Sequence, residues 1–271
     1  MKSATLLLIA TGRYKQFVPI LYEDILNKWL TDVPERQIVL CTDVTTPEEA
    51  GVHVSKVPVH IVPIVRRGFP GDTLFRYHYF LKCASLWKDT DFAMYMDVDM
   101  RILRPFLASE LFGSQSSHLY VGSPLHANLQ SADHCGQEWQ GFAVVHPGFA
   151  NNAHSPWGTP ETSPFSESCL PQGPRRMPYV CGGVQGGRSL WYLQAMQAMV
   201  GRIDRDLARH HTPIWHDESV WNRYVHDESR MVRLFTPSLC HSLTHSQAWG
   251  LNVWVPIITT IEKDHHYFRG A

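Results

Sequence analysis

Runs of apolar residues alternate with amphipathic stretches over the first hundred positions of the chain. Residues 5–10 are almost wholly apolar and predict a buried strand, and apolar residues recur at helical spacing over 16–30, which predicts a helix. Residues 37–42 predict a second strand, 80–86 the apolar side of a second helix, and 92–96 a short buried strand. This alternation of strands and helices is typical of a parallel α/β sheet with right-handed crossovers.

The second half of the chain contains a long segment without periodicity. Six prolines and many serines, threonines and glycines occupy 151–178, which predicts an extended loop rather than a linker between domains. Apolar residues then recur at helical spacing from Leu193 to Leu207 and predict an amphipathic helix. The sequence has no internal repeat, so we expect one α/β domain, 1–271, with a mixed sheet flanked by helices.

The composition excludes several classes of function. Lys and Arg number 24 against 25 Asp and Glu, a formal net charge of −1, and no run of Lys and Arg is longer than a pair. A nucleic-acid partner is therefore not expected. No stretch of about 20 apolar residues predicts a transmembrane helix, and the run at 5–10 is too short for a signal peptide. Six cysteines without a CxxC pair indicate reduced thiols in a cytoplasm.

Two aspartates follow the short strand at 92–96. If that strand continues, Asp97 and Asp99 face the same side while Val98 points into the core. Ligands collect at the carboxyl ends of parallel strands, and paired carboxylates suit Mn²⁺ or Mg²⁺ bound to a diphosphate. A plain acidic turn is the alternative, and the apolar strand upstream favours the metal site.

A second acidic pair, Asp217 and Glu218, follows Trp215-His216 and lies between apolar neighbours. Carboxylates crowded with aromatic rings indicate a site for chemistry. The alternative is a helix N-terminus at which acidic side chains complement the helix dipole. A glycosidase pair is not expected, because its two carboxyls must flank the scissile bond from opposite sides.

Two further segments could contact phosphate groups. Gly182-Gly183 and Gly186-Gly187 would let a ligand approach the backbone, although a turn before the predicted helix explains them equally well. Lys263 and Arg269 could clamp a diphosphate, with a solvated basic stretch as the alternative.

Taken in order, these segments resemble glycosyltransferase family 6, which includes the blood-group A and B transferases, the α1,3-galactosyltransferases and bacterial relatives. The motifs that carry the resemblance span nearly the whole chain: Ile9-Ala10-Thr11-Gly12-Arg13-Tyr14, Arg76, Asp97-Val98-Asp99-Met100, His146-Pro147-Gly148-Phe149, 179–187, 215–222 and 263–269. His-Pro-Gly-Phe and Trp-His-Asp-Glu-Ser are together specific, whereas Asp-x-Asp is shared by many transferases. Bacterial members often have Asn-x-Asn there, so the aspartates of this chain imply metal dependence.

The resemblance implies a GT-A fold that transfers galactose or N-acetylgalactosamine (GalNAc) from UDP to a β-galactoside, such as a fucosylated H-type glycan, with retention of the α configuration. Residues 1–100 would mainly bind UDP, and 101–271 would mainly bind the acceptor and carry the catalytic group. The resemblance implies that Ile9, Ala10 and Tyr14 hold uridine, and that Asp97 and Asp99 bind the metal and the donor ribose or sugar. Arg76 would help to hold the donor, Asp217 would contact the donor sugar, and Lys263 and Arg269 would close over the diphosphate. Glu218 would act as nucleophile or stabilise an oxocarbenium ion, and His146 and Trp215 would line the acceptor site.

Donor choice in the family depends on the positions that match Cys181, Gly182 and Gly183. Glycine at the last position would leave room for an acetamido group, so UDP-GalNAc is expected over UDP-galactose. The chain has no anchor or stem before its first strand, so we expect a bacterial or phage-type soluble protein, cytoplasmic or peripheral at the inner membrane. Residues 238–241 depart from the family's acidic-aromatic stretch, and 151–178 matches poorly, so no acceptor contact is assigned there.

Three alternatives stay open. Within the family, the chain could be an α1,3-galactosyltransferase that uses UDP-galactose. A non-catalytic sugar-binding module would keep Tyr14 and Trp215 and lose Glu218 or the aspartates, all of which are present. A metal-dependent nucleotide-sugar hydrolase would release free sugar without an acceptor. Because UDP leaves readily once a cation neutralises its charge, a single carboxylate suffices for transfer, and transfer is our prediction.

Overall fold

A mixed sheet of seven strands lies at the centre of the described part of the protein. The structure is a computed structural model, and it describes residues 1–52, 56–112, 139–147, 159–171, 178–242 and 255–269. Its strands are β1 Ser3–Ala10, β2 Glu35–Thr42, β3 Val59–Pro63, β4 Phe92–Met96, β5 Met100–Ile102, β6 Gly141–Val145, β7 Val180–Arg188, β8 Val232–Phe235 and β9 Ile258–Thr260. The large sheet has the order β3-β2-β1-β4-β7-β6-β8, and β5 pairs with β9 in a separate antiparallel ladder.

The direction of each strand decides where side chains can meet. β3, β2, β1 and β4 run parallel, β7 runs antiparallel to both of its neighbours, and β8 runs parallel to β6. The predicted α/β class and the parallel run of the early strands are therefore confirmed, whereas β7 reverses the direction. As a result, the amino end of β7 lies at the same edge as the carboxyl ends of β1, β4, β6 and β8.

The helices cover both faces of this sheet. They are α1 Val18–Lys28, α2 Gly71–Leu74, α3 Arg76–Lys82, α4 Ala108–Phe112, α5 Ser189–Ala208, α6 His216–Asp227 and α7 His265–Arg269, with 3-10 turns at Gly12–Phe17, Ala84–Leu86 and Pro237–Leu239. The predicted helix over 16–30 begins at Val18, after the first 3-10 turn. The prediction of one helix over 80–86 is wrong in extent, because α3 ends at Lys82 and a separate turn follows. The helix predicted from Leu193 to Leu207 is confirmed by α5.

Burial on both faces explains why the predicted strands are almost wholly apolar. Leu6 and Leu8 pack on the α1 side of the sheet, whereas Leu7 packs on the side of α3, α5 and α6. All three are at most 2% exposed. A strand covered on both faces needs apolar side chains at every position, and each fully buried leucine contributes about 1.5–3 kcal/mol.

The described part of the proline-rich segment has no strand or helix and packs on α5. The hydroxyl of Ser166 and the backbone N–H of Glu167 donate to the buried Asp206 carboxylate over 3.0 and 2.7 Å. The predicted loop is thus confirmed over 159–171, and the remainder, apart from Pro178, lies outside the described residues. Within the described ranges, no helix is both long and apolar enough to cross a membrane.

Candidate active site

A cavity of about 280 Å³ opens at the carboxyl edge of the parallel strands. Seven residues that the sequence analysis assigned to the donor site line it: Ile9, Tyr14, Arg76, Asp97, Asp99, Lys263 and Arg269. Its other lining residues are Thr11, Arg66, Gly68, Phe69, Asp72, Thr73, Tyr95, Val98, Thr260, His265 and Phe268. Segments more than 250 residues apart in sequence therefore meet at this edge, close to where ligands bind in open α/β sheets.

Asp97 and Asp99 reach the cavity from a turn. β4 ends at Met96, and residues 98 and 99 form the turn, so the expectation of a continuing strand is wrong. The backbone N–H of Asp97 nevertheless donates to the carbonyl oxygen of Gly183 over 2.9 Å, which ties the turn to β7. The Tyr95 hydroxyl donates to the Asp97 carboxylate, and the Lys263 ammonium donates to that of Asp99.

The guanidinium of Arg76 is buried behind these aspartates and connects four elements. It is 4% exposed, and its Nε lies 3.0 Å from Oδ2 of Asp217. Nη1 donates to the Gly182 carbonyl over 2.9 Å, and Nη2 lies 3.6 Å from Oδ1 of Asp97. The guanidinium carbon also lies 4.2 Å from the centroid of the Tyr95 ring. Arg76, which lies on α3, thus contacts Asp97, Gly182 and Asp217 in addition to lining the cavity.

Asp217 and Glu218 lie in the first turn of α6, which is the helix N-terminus that the sequence offered as an alternative. Burial raises the pKa of Asp217 to about 7, although the charge of Arg76 opposes the shift. Burial also raises the pKa of Glu218 to about 7. The helix begins at His216 with a φ of +52°, a left-handed conformation that is strained in a non-glycine residue. An acidic pair is thus held in an unusual turn, next to a buried cation.

Both oxygens of the Glu218 carboxylate accept hydrogen bonds. The Tyr179 hydroxyl donates to Oε1 over 2.9 Å, and the backbone N–H of Gly182 donates to Oε2 over 2.7 Å. Both bonds favour the ionised form and oppose the effect of burial on the pKa. The carboxylate orientation is consequently set by β7 and by the residue that precedes it.

The side-chain amide of Asn222 connects α6 to β7. Its Oδ1 accepts from the Val180 N–H over 2.8 Å, and its Nδ2 donates to the Val180 carbonyl over 2.7 Å. The same Nδ2 donates to the Glu218 carbonyl one helical turn earlier over 2.8 Å. The sequence analysis did not assign Asn222 individually, although a position four residues after Glu218 shares its helix face.

The two glycine pairs lie within β7, so their interpretation as a turn is wrong. A Cβ at Gly182 would lie 3.1 Å from Cβ of Glu218. A Cβ at Gly183 would lie 2.7 Å from Oδ2 of Asp97 and 2.8 Å from Cε of Met100. Glycine is thus needed here because carboxylates lie against the backbone.

The remaining predicted site residues lie near the cavity without lining it. Ala10 is fully buried in the core and Cys181 is 3% exposed, with its thiol in contact with that of Cys240. The His146 ring packs edge-on against Tyr179 at 5.9 Å, and burial lowers its pKa to about 4. The backbone N–H of Trp215 donates to the Ser219 hydroxyl over 3.0 Å. Gly148 and Phe149, which complete the motif of His146, lie outside the described residues.

A short C-terminal segment forms the opposite side of the cavity. The Phe268 ring packs on Tyr14 at 5.3 Å and on Phe17 at 4.9 Å. The Arg269 guanidinium lies 4.1 Å from the centroid of the exposed Phe69 ring. The Lys263 ammonium lies 5.6 Å from that of Tyr14. Lys263 and Arg269 thus line the cavity beside the Tyr14 ring, with the Lys263 ammonium bonded to Asp99.

Two lining residues outside the sequence assignments shape the cavity mouth. Asp72 accepts from the Thr11 hydroxyl over 2.7 Å and from the Arg67 N–H over 2.8 Å. The Arg66 guanidinium lies within 2.7 Å of the place where a Cβ of Gly12 would stand. In the sequence, Arg66 is distinguished only by its place in a pair of basic residues, and no feature distinguishes Asp72 as a candidate site residue.

The oxygen ligands of the cavity suit a divalent metal only together with a bound ligand. Among the described residues, no group of three or more Cys, His, Asp or Glu side chains could hold an ion. Asp97 and Asp99 line one cavity and offer carboxylate oxygens, which Mn²⁺ and Mg²⁺ accept alongside diphosphate oxygens. The two residues therefore fit such a metal, provided that the Lys263 ammonium leaves Asp99.

Two comparisons of the sequence with known proteins give no match. A scan against protein-family models finds no match for the sequence. A search of curated proteins finds no significant match. The family resemblance is therefore carried by the motifs themselves, and the activity that it implies is a proposal.

Proposed function

We propose that the protein is a retaining glycosyltransferase of the GT-A type that transfers GalNAc or galactose from UDP to a β-galactoside. The observation that carries this proposal is the cavity at the carboxyl edge of the sheet. Asp97 and Asp99 line it together with Lys263 and Arg269, and buried Arg76 contacts both Asp97 and Asp217, the neighbour of Glu218. A nucleoside diphosphate with its metal needs this combination of anionic and cationic groups.

The lining residues divide into those that suit a base and those that suit a diphosphate. Ile9 and the Tyr14 ring offer apolar and aromatic surface for uridine. Lys263 and Arg269 offer positive charge for the diphosphate. Asp97 and Asp99 would hold Mn²⁺ or Mg²⁺, which when bound neutralises negative charge on the departing UDP.

Glu218 is the candidate catalytic residue. Its carboxylate is held by two donors at fixed positions, and it lies beside Asp217 rather than opposite a second acid. The ionised form could attack the anomeric carbon or stabilise positive charge at that carbon. Both the double-displacement and the front-face routes to a retained configuration need that ionised form, and both remain open to experiment.

The donor sugar is proposed as GalNAc, with galactose as the alternative. The support comes from glycine at position 183 in the family resemblance. Because a Cβ at Gly183 would meet Asp97, substitution there would disturb the site as well as the sugar pocket. Donor choice therefore has to be measured with the unaltered chain.

The decisive experiment measures UDP release from UDP-GalNAc and UDP-galactose, each with Mn²⁺, Mg²⁺ or EDTA, and with or without a β-galactoside. Half of the acceptors should carry fucose. Release that needs metal and rises with acceptor would support transfer, and the faster donor would identify the sugar. Release that is indifferent to every acceptor would favour a hydrolase. UDP binding without turnover of either donor would favour a sugar-binding module.

A further inference from the structure

We propose that Tyr179 is a positioning residue that acts through Glu218, by donating its hydroxyl hydrogen to Oε1 and thereby keeping the carboxylate ionised and oriented for the reaction. This inference rests on the proposed function for its catalytic meaning. The hydrogen bond itself is a property of the fold and can be tested without turnover. The sequence analysis assigned Tyr179 no role of its own.

The backbone around Tyr179 is fixed from two directions. Its carbonyl oxygen accepts from the His146 N–H over 2.8 Å. The next residue, Val180, is held at both its N–H and its carbonyl by the amide of Asn222. Because Asn222 also bonds the Glu218 carbonyl, donor and acceptor are anchored to one another through the backbone. The 2.9 Å bond from Tyr179 to Glu218 is therefore built into the junction of β7 and α6.

The hydroxyl of Tyr179 is a dependable donor. The residue is 1% exposed, and burial raises the pKa of its phenol well above the usual value, so the proton stays on oxygen. A donor to a carboxylate favours the ionised form. Tyr179 and the Gly182 N–H each supply one such bond, on different oxygens. The Tyr179 bond can be removed by deleting a single oxygen atom, whereas the Gly182 bond cannot.

Other charged and titratable groups lie near Glu218 and affect its ionisation. The charges of Asp217 and Asp97 oppose ionisation of Glu218. The Glu218 charge also acts on buried Tyr77 of α3 and on Cys240 after β8. Burial raises the pKa of Tyr77, and the hydrogen bond with the Cys181 thiol together with burial raises that of Cys240, so both stay protonated. The cation Arg76 contacts Asp217 and Asp97 instead. Among the described residues, the donors that bond the Glu218 carboxylate directly are Tyr179 and Gly182.

The test compares Tyr179→Phe with the wild type and with Tyr192→Phe. Tyr192 is a second fully buried tyrosine, and its hydroxyl makes no hydrogen bond within the described residues. Selective ¹³C labelling of glutamate carboxyls gives a titration curve for each, and the Glu218 signal is the one lost in Glu218→Gln. We expect the Glu218 midpoint to rise by about one pH unit in Tyr179→Phe and to stay in place in Tyr192→Phe.

Turnover provides the second readout. In Tyr179→Phe, the acid limb of the plot of kcat against pH should shift to higher pH by the same interval of about one unit. Near pH 6, kcat should be about tenfold lower, with no change in KM for the donor. An unmoved Glu218 midpoint would overturn the proposal, as would a Tyr179→Phe protein that loses its fold while Tyr192→Phe keeps it. If the Glu218 midpoint shifts in Tyr179→Phe but the wild type turns over no donor, the role of Tyr179 is retained and the transferase is rejected.

Discussion

The two sides of the cavity are built in different ways. The inner wall joins α3, α6 and the turn after β4. Its Arg76 and Asp97 line the cavity, whereas its Asp217 and Glu218 lie outside the lining, and the Arg76 and Asp217 side chains are almost wholly buried. The outer wall, formed by 263–269, is a short segment whose Tyr267 is 52% exposed and whose Arg269 stacks on exposed Phe69. Charge on the inner wall therefore contributes to the folding free energy. On the outer wall the Arg269 guanidinium is available to a ligand, whereas the Lys263 ammonium is bonded to Asp99.

The strongest test of this contrast is removal of the inner cation. Arg76→Met should lower the free energy of unfolding by about 3–5 kcal/mol, because the buried Asp217 carboxyl would lose its cationic partner. Urea unfolding followed by circular dichroism measures the change. Arg67→Met is the matched control, since that guanidinium is exposed on the ring of Phe75 and should cost less than about 1 kcal/mol. Equal losses of unfolding free energy in both variants would contradict the conclusion that charge on the inner wall contributes to folding.

The second prediction concerns chemistry at the inner wall. Glu218→Gln should lower kcat by about a thousandfold and leave UDP affinity nearly unchanged, because Glu218 does not line the cavity. Isothermal titration with UDP and a turnover assay separate the two quantities. Glu228→Gln, at the other end of α6, is the control and should behave as wild type. Wild-type turnover in Glu218→Gln would remove this residue from the mechanism.

The third prediction uses the dependence of stability on pH. The pKa of Glu218 in the folded state, about 7, lies above its usual value of 4.5, so its contribution to stability is full below pH 4.5 and is lost as the pH rises through 7. Glu218→Gln carries no such loss. The free energy of unfolding of this variant relative to wild type should rise by about 3 kcal/mol between pH 4.5 and 8. A constant difference across that interval would mean that folding leaves the pKa of Glu218 unchanged.

The smallest effect is expected at the outer wall. Arg269→Ala should raise the Kd for UDP by about tenfold, as expected for the loss of one charged contact to phosphate. Its free energy of unfolding should change by less than about 1 kcal/mol, because the guanidinium is exposed on the Phe69 ring. The same titration and urea experiments measure both. Loss of stability without loss of affinity would assign Arg269 to the fold instead of the ligand.

Some residues of the site could be predicted from the sequence, whereas others could not. Asp97 was found because a wholly apolar strand ends directly before it, and Glu218 because an acidic pair amid aromatic residues is uncommon. Lys263 and Arg269 were found by their charge. Tyr179 and Asn222 had no such signal on their own, since their importance comes from pairing between segments about forty residues apart. The strand β7 escaped prediction because four of its nine residues are glycine, which erases hydrophobic alternation.

The glycines of β7 also restrict which sequences could replace this one. A Cβ at Gly186 would lie 2.5 Å from the Ala93 carbonyl oxygen, and one at Gly187 would lie 2.4 Å from that of Gln140. On the neighbouring strand, a Cβ at Gly141 would lie 2.1 Å from the Trp191 ring. Alanine at Gly186 or Gly187 would therefore force the neighbouring backbone to shift, and at Gly141 the Trp191 ring would have to move. The middle of the sheet is thus closed to larger side chains unless the strands around it separate.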